Sequence, residues 1–242
     1  MLFSALLLSV AASNAQVVIS QVYGGGGNSG ATLKNDYIEI FNGGASTVDL
    51  STYSVQYSSA TGTSWAKTNL TGTIATGQYY LVQEAVGAGG TTNLPAPDAT
   101  GTIALSATAG KVALVNNQTA MSIACPGSAQ GVVDLVGFGP TANCFEGAAP
   151  TAAPANATAV LRASGGCTDS NNNATDFTVG TPNPRNTAST TNPCSGSSPI
   201  TISNANTLGA GTINALYSVT FLASGGAGSG YTFSLSSGTF PN

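Results

Sequence analysis

Apolar and β-branched positions along this chain fall in short runs closed off by Gly, Asn, Pro or Ser, and no helix-length pattern separates them. Residues 17–22 (VVISQV) and 36–41 (DYIEIF) read as two strands joined by a glycine loop, and Asn42-Gly43-Gly44 then supplies residues that tolerate a tight turn. The loop itself reads as a pliable hairpin connection. Residues 48–50 and 53–57 follow as short strands. Around the second, Tyr53, Val55 and Tyr57 alternate with Ser54, Gln56 and Ser58, the period-2 pattern of a sheet with one wet face. Trp65 and residues 78–83 (QYYLVQ) supply core, and residues 86–101 form a long loop of Gly, Thr and Pro. Residues 102–105, 111–116 (KVALVN) and 132–139 (VVDLVGFG) complete the strands, whose spacing predicts a β-sandwich rather than a parallel sheet. After Cys194 the pattern changes: residues 195–199 read as a linker, and a new β pattern starts at Ile200.

Composition strengthens the all-β reading. Only 6% of the 242 residues are charged, against 42% hydrophobic, which leaves little material for exposed helix faces. The length allows one domain of about 150 residues and part of another. A net charge of -4, with five basic residues dispersed at Lys34, Lys67, Lys111, Arg162 and Arg185, argues against binding polyanions by charge. Residues 1–15 (MLFSALLLSVAASNA) have an apolar core too short to span a bilayer and end in Ser13-Asn14-Ala15, a small-x-small cleavage pattern. They read as a signal peptide, although no Lys or Arg precedes the apolar run. The expected plan is a signal peptide over 1–15, a sandwich domain over 16–194, a linker over 195–199 and a partial β module over 200–242. No stretch after the first reaches the length of a membrane span.

The chain has no histidine, which removes Ser-His-Asp and Cys-His machinery, His-ligated zinc and the usual general base near neutral pH. The Gly25 to Gly30 stretch fits G-x-G-x-x-G, but no helix follows to present amides to a pyrophosphate, so a dinucleotide site is excluded on context. Asp36, Glu39, Glu84, Asp98, Asp134 and Glu146 are candidates for carboxylate chemistry that no motif pairs. Glu39, between Ile38 and Ile40, is expected to face solvent or to bond a loop.

Four cysteines, Cys125, Cys144, Cys167 and Cys194, lack C-x-x-C spacing, and a zinc site would need thiolates from four distant loops, so disulfides are the expectation. Chain order and the loops closed point to Cys125 with Cys144 and Cys167 with Cys194. Asp169, Asn171, Asn173 and Asp176 place side-chain oxygens at near-alternate positions, as a calcium loop does. They lack the glycine and bidentate glutamate of an EF-hand, and the competing reading is an Asn-rich turn that caps its own backbone. Otherwise no cofactor is expected. Four N-x-T sequons, at Asn69, Asn117, Asn156 and Asn173, carry no functional expectation.

The run Asp36-Tyr37-Ile38-Glu39-Ile40-Phe41-Asn42, preceded by a strand and a Gly-rich loop, resembles the opening of the bacterial lamin-tail domain family. Residues 78–82, 109–114, 134–139 and 169–177, followed by Pro182-Asn183-Pro184-Arg185-Asn186, extend the resemblance to about residues 17–194. It implies an immunoglobulin-like β-sandwich on a secreted or cell-surface protein. Residues 200–242 resemble the first half of the immunoglobulin-like modules repeated on bacterial surface proteins, so this tail is expected not to be stable alone. The reading is a non-catalytic binding or spacer module whose partner is an extracellular protein, glycan or nucleic acid, joined to downstream domains of a longer polypeptide. The alternative is the accessory region of an extracellular nuclease or other hydrolase.

Overall fold

The computed structural model describes residues 17–194 and, beyond them, the backbone of Thr201–Ile202 and Ala223–Ser224. The proposed signal peptide, the linker and nearly all of the C-terminal module lie outside the described residues. Ala15–Cys194 forms one compact unit, and the short antiparallel pair Thr201–Ile202 with Ala223–Ser224 belongs to another.

Within the larger unit the strands are β1 (Val17–Tyr23), β2 (Asn35–Asn42), β3 (Val48–Asp49), β4 (Ser54–Ser59), β5 (Ala66–Asn69), β6 (Thr73–Ile74), β7 (Tyr79–Val86), β8 (Ala99–Thr100), β9 (Gly110–Val115), β10 (Val132–Phe138), β11 (Ala159–Arg162) and β12 (Phe177–Gly180). The first sheet has the order β12-β11-β1-β2-β7-β8 and the second β10-β9-β4-β5, while β3 and β6 form a separate pair. All pairings are antiparallel except β7 with β8. This is the all-β sandwich that the spacing of apolar runs predicts, with the immunoglobulin-like plan that the resemblance implies. Among the described residues no helix is long and apolar enough to cross a membrane.

Alternation along each strand divides its side chains between two faces. On β9, Val112 and Leu114 enter the core between the sheets, whereas Ala113 and Val115 point the other way. On β1, a register shift between Ile19 and Gln21 changes the phase at Ser20, so Val17, Ile19 and Val22 all reach the core.

The middle of each outer face is also buried. Every residue of β1 is buried, and Val18, Phe41 and Tyr79 pack outside the first sheet against Cys167 and Cys194. Outside the second sheet, Trp65, Ala113, Val115, Met121, Leu135 and Cys144 form their own cluster. The wet face expected beside Tyr53–Tyr57 is therefore absent: Ser54, Gln56 and Ser58 are buried. Ser54 Oγ donates to the Asn117 carbonyl at 2.7 Å, and Gln56 donates to Thr119 O and accepts from Met121 N–H. Polar side chains here hold down a loop rather than meeting water. Disulfides tie each cover, Cys125 with Cys144 over the second sheet and Cys167 with Cys194 over the first.

The glycine loop is likewise not pliable. Residues 24–27 are buried, and a Cβ on Gly24, Gly25 or Gly26 would meet backbone atoms of Ser106, Asn156 or Asn35 at 2.2, 2.3 and 1.9 Å. These glycines permit close backbone approach. Residues 102–105, expected as a strand, join no ladder. The Ala85 N–H of β7 donates to the Ile103 carbonyl at 3.1 Å, but Glu84 accepts the Ile103 N–H at 2.9 Å and Asp36 the Leu105 N–H at 2.9 Å, so carboxylates take the N–H groups that a ladder would otherwise pair.

Candidate functional site

β11 carries Arg162 on the same side as Val160, at the core end of the strand, with none of the side chain exposed. A buried guanidinium must find acceptors for its N–H groups. Arg162 Nε donates to the Ile19 carbonyl at 2.8 Å, Nη2 to Asp134 Oδ2 at 2.7 Å, and Nη1 to Asp169 Oδ1 at 3.1 Å and Thr168 O at 3.2 Å. The Asp176 carboxylate lies 3.8 Å away. Asp134 Oδ2 also accepts the Ile19 N–H at 2.6 Å, so one oxygen links β10 of the second sheet to β1 of the first.

Glu146 joins this group. Its Oε1 accepts the Leu135 N–H, and Asp134, Glu146 and Asp169 each bring an oxygen within 4.8 Å of the others. Sequence reasoning left these carboxylates unpaired; the fold brings Asp134 and Glu146 together from either side of a turn. Burial, followed by the negative charges of Asp134 and Asp169, pushes the Glu146 carboxyl up to about 8, so it is mostly protonated at neutral pH. For Asp176 burial pulls upward, but the hydroxyl and N–H of Ser170, the N–H of Asn172 and Arg162 outweigh it and lower the carboxyl. The cluster is thus a guanidinium held among carboxylates, one of them kept neutral.

Of the four residues expected to ligate calcium, only Asp169 belongs to this set of converging oxygens. Asn171 is exposed at φ 53°. Asn173 is buried, and its amide accepts from the N–H groups of Gly137 and Glu146 and donates to Leu135 O, closing the free edge of β10. Asp176 accepts from Ser170 and Asn172. The turn reading accounts for these bonds, with Asn173 capping a distant strand as well.

The remaining carboxylates act as fasteners. Glu39 is fully buried rather than facing solvent, and it bonds a loop: it accepts from Ser20, Gln21 and the backbone and side chain of Arg185. Asp98 accepts the Leu81 N–H and the Thr187 hydroxyl. Burial raises Asp36 to about 6 against the N–H groups of Leu105 and Gly26, and Glu84 to about 7 against the Thr68 hydroxyl and the Ile103 N–H. Sequence reasoning missed Lys111, whose ammonium is enclosed beneath the second cover. One signal was available for Lys111 and Arg162: each is a lone cation flanked by a β-branched or apolar run, and a strand buried on both faces must give such a group partners.

All five basic and nine acidic residues fall within the described sandwich, where seven are buried and only Asp49 and Lys67 are exposed. The other five, Lys34, Asp98, Glu146, Asp169 and Arg185, are half-buried, so few charged side chains reach the surface fully.

Compared with known proteins, the chain matches the lamin tail domain family model over residues 10–139, more than half its length. The matched span ends at the turn after β10, so Arg162, Arg185 and both residues of the second disulfide lie beyond it in the same compact unit. No curated protein matches the chain significantly.

Proposed function

This chain belongs to the lamin tail domain family, and we propose that it works outside the cytoplasm as a non-catalytic binding and spacing module of a larger extracellular or cell-surface protein. The pair of disulfides carries this reading, since such bonds persist in oxidising compartments, and each fastens a cover over one face of the sandwich. Among the described residues the carboxylates bond backbone amides, hydroxyls or guanidinium groups, as structural fasteners do. Residues 1–15 are the proposed export signal, and residues 200–242 are the proposed start of the next module.

The test is a fusion of the chain to alkaline phosphatase, a reporter active only where disulfides form. Full-length fusions should be active and fusions lacking residues 1–15 inactive, with no turnover of DNA, RNA or polysaccharide by the chain itself. An inactive full-length fusion would reject export, and metal- or pH-dependent hydrolysis would reject the non-catalytic role.

A further inference from the structure

Beside the second sheet lies an open groove of about 630 Å³ between residues 116–122 and the 3-10 turn Ser128–Gln130. Its polar lining consists of Asn116, Asn117, Thr119, Ser122, Ser128 and Gln130, with no ionisable side chain. The walls are pinned from beneath. Gln56 donates to Thr119 O at 2.9 Å and accepts from Met121 N–H at 3.0 Å, and Asn117 Nδ2 crosses to Gln130 O at 2.9 Å. Gly131, at φ 80°, has Asn116 Oδ1 only 2.3 Å from where a Cβ would sit, which keeps the end of the groove clear of a side chain. By contrast, Asn116, Thr119, Ser122 and Ser128 are exposed and make no side-chain hydrogen bond among the described residues. The site is therefore preformed in backbone and uncommitted in its donors and acceptors.

We propose that this groove binds a neutral carbohydrate. Sugar hydroxyls donate and accept at once, and amide and hydroxyl side chains answer both needs without a net charge. A polyanion would require Lys or Arg in the lining, and a charged peptide an opposite charge. None of the chain's charged residues lines the groove, and only Asp49 and Lys67 are fully exposed elsewhere. Ala120 and Ala129 offer the small apolar contacts that the C–H face of a pyranose takes, above Met121 at the groove floor. The inference rests on the reading of the chain as an extracellular binding module and gives that module a ligand class.

The experiment is an amide chemical-shift titration of the full-length, isotopically labelled chain. The probes are cellohexaose, chitohexaose and mannohexaose, with a heparin fragment and a DNA oligonucleotide as charged controls. At least one neutral oligosaccharide should shift the amides of residues 116–131, by amounts insensitive to salt up to about 0.5 M. Asn116→Ala combined with Ser128→Ala should weaken that binding about tenfold or more. Thr91→Ala, in a distant exposed loop, should leave it unchanged, and equal melting temperatures for both variants would exclude misfolding. The proposal fails if no neutral oligosaccharide moves those amides at about 10 mM. It also fails if the double variant binds as tightly as the parent, or if only the charged controls occupy the groove. The phosphatase fusion reports export separately, so loss of sugar binding with export intact rejects the groove alone.

Discussion

The covers on the two faces of the sandwich are fastened by different electrostatics. Over the first sheet, Glu39 meets Arg185 in an ion pair at 2.7 Å, while the guanidinium lies 3.6 Å from the centroid of the Tyr79 ring. Over the second sheet, Lys111 has no carboxylate partner among its hydrogen bonds. Its ammonium donates to the carbonyls of Gly62 and Ala124 at 2.7 Å each and to Asn143 Oδ1 at 2.9 Å, with Trp65 5.4 Å away. An opposite charge cancels a buried charge, whereas carbonyl dipoles only solvate it. Burial pushes both groups toward their neutral forms, lowering the Lys111 ammonium with nothing opposing it and raising the Glu39 carboxyl against the pull of Arg185. In a chain with so few charged residues, charge is used inside, to hold loops against sheet faces where no strand ladder can form.

Substitutions can break this contrast. Glu39→Ala removes the acceptor for Ser20, Gln21 and Arg185 together and should cost about 3–5 kcal/mol in urea unfolding. Replacing either cysteine pair by serine should cost about 3 kcal/mol, because the closed loops, 19 and 27 residues apart in sequence, are of similar size. Lys111→Met orphans three oxygens but also removes a buried ammonium, so about 2 kcal/mol is expected. If Lys111→Met proves as costly as Glu39→Ala, the distinction between a paired and a solvated charge has no energetic content.

The same fasteners explain what could be read in the sequence. Strand positions were legible because β-branched and aromatic residues alternate locally, and the opening signature at residues 36–42 sits on β2 as its pattern requires. The covers were not legible. Ser54, Gln56 and Ser58 read as a wet face because a polar side chain bonded to a loop leaves the same local pattern as one bonded to water. Glu39 to Arg185 and Asp134 to Arg162 are contacts between distant segments, which no window of the sequence contains. Residues 102–105 looked like a strand because Ile103 and Leu105 are core residues; only the fold shows that carboxylates bind their backbone.

A pH series sharpens the contrast with a smaller effect. Asp36, Glu84 and Glu146 are raised to about 6, 7 and 8, each chiefly by burial. Their unfolded values lie near about 4, so the folded protein holds these protons more tightly than the unfolded chain does. The stability they contribute is complete below about pH 4 and is lost as pH rises through the folded values. The melting temperature should therefore fall between about pH 4 and pH 8 by calorimetry and level off above that. Glu146→Gln, which mimics the neutral form beside the second cover, should flatten the upper part of that fall. A melting temperature that rises across this range would contradict the assignment of these carboxyls as buried and proton-loving.

The smallest expected effect is that of calcium. A hard cation wants six to eight oxygens, and Asp134, Glu146 and Asp169 bring three within 4.8 Å of one another. The site already holds a positive charge, however, because Arg162 lies 2.7 Å from Asp134 and 3.1 Å from Asp169. Glu146 would have to release a proton near pH 7, and Asn173 and Asp176 would have to give up the backbone N–H groups they hold. Each step opposes binding, so excess calcium or chelator should move the melting temperature by less than about 1 °C, and a calorimetric titration should register no binding heat. A rise of several degrees that Asp169→Asn abolishes would mean that a cation displaces or joins the guanidinium. Arg162 would then be a replaceable counter-ion rather than a fastener, and the contrast between charges held by pairing and charges held by dipoles would have to be drawn again from that cluster outward.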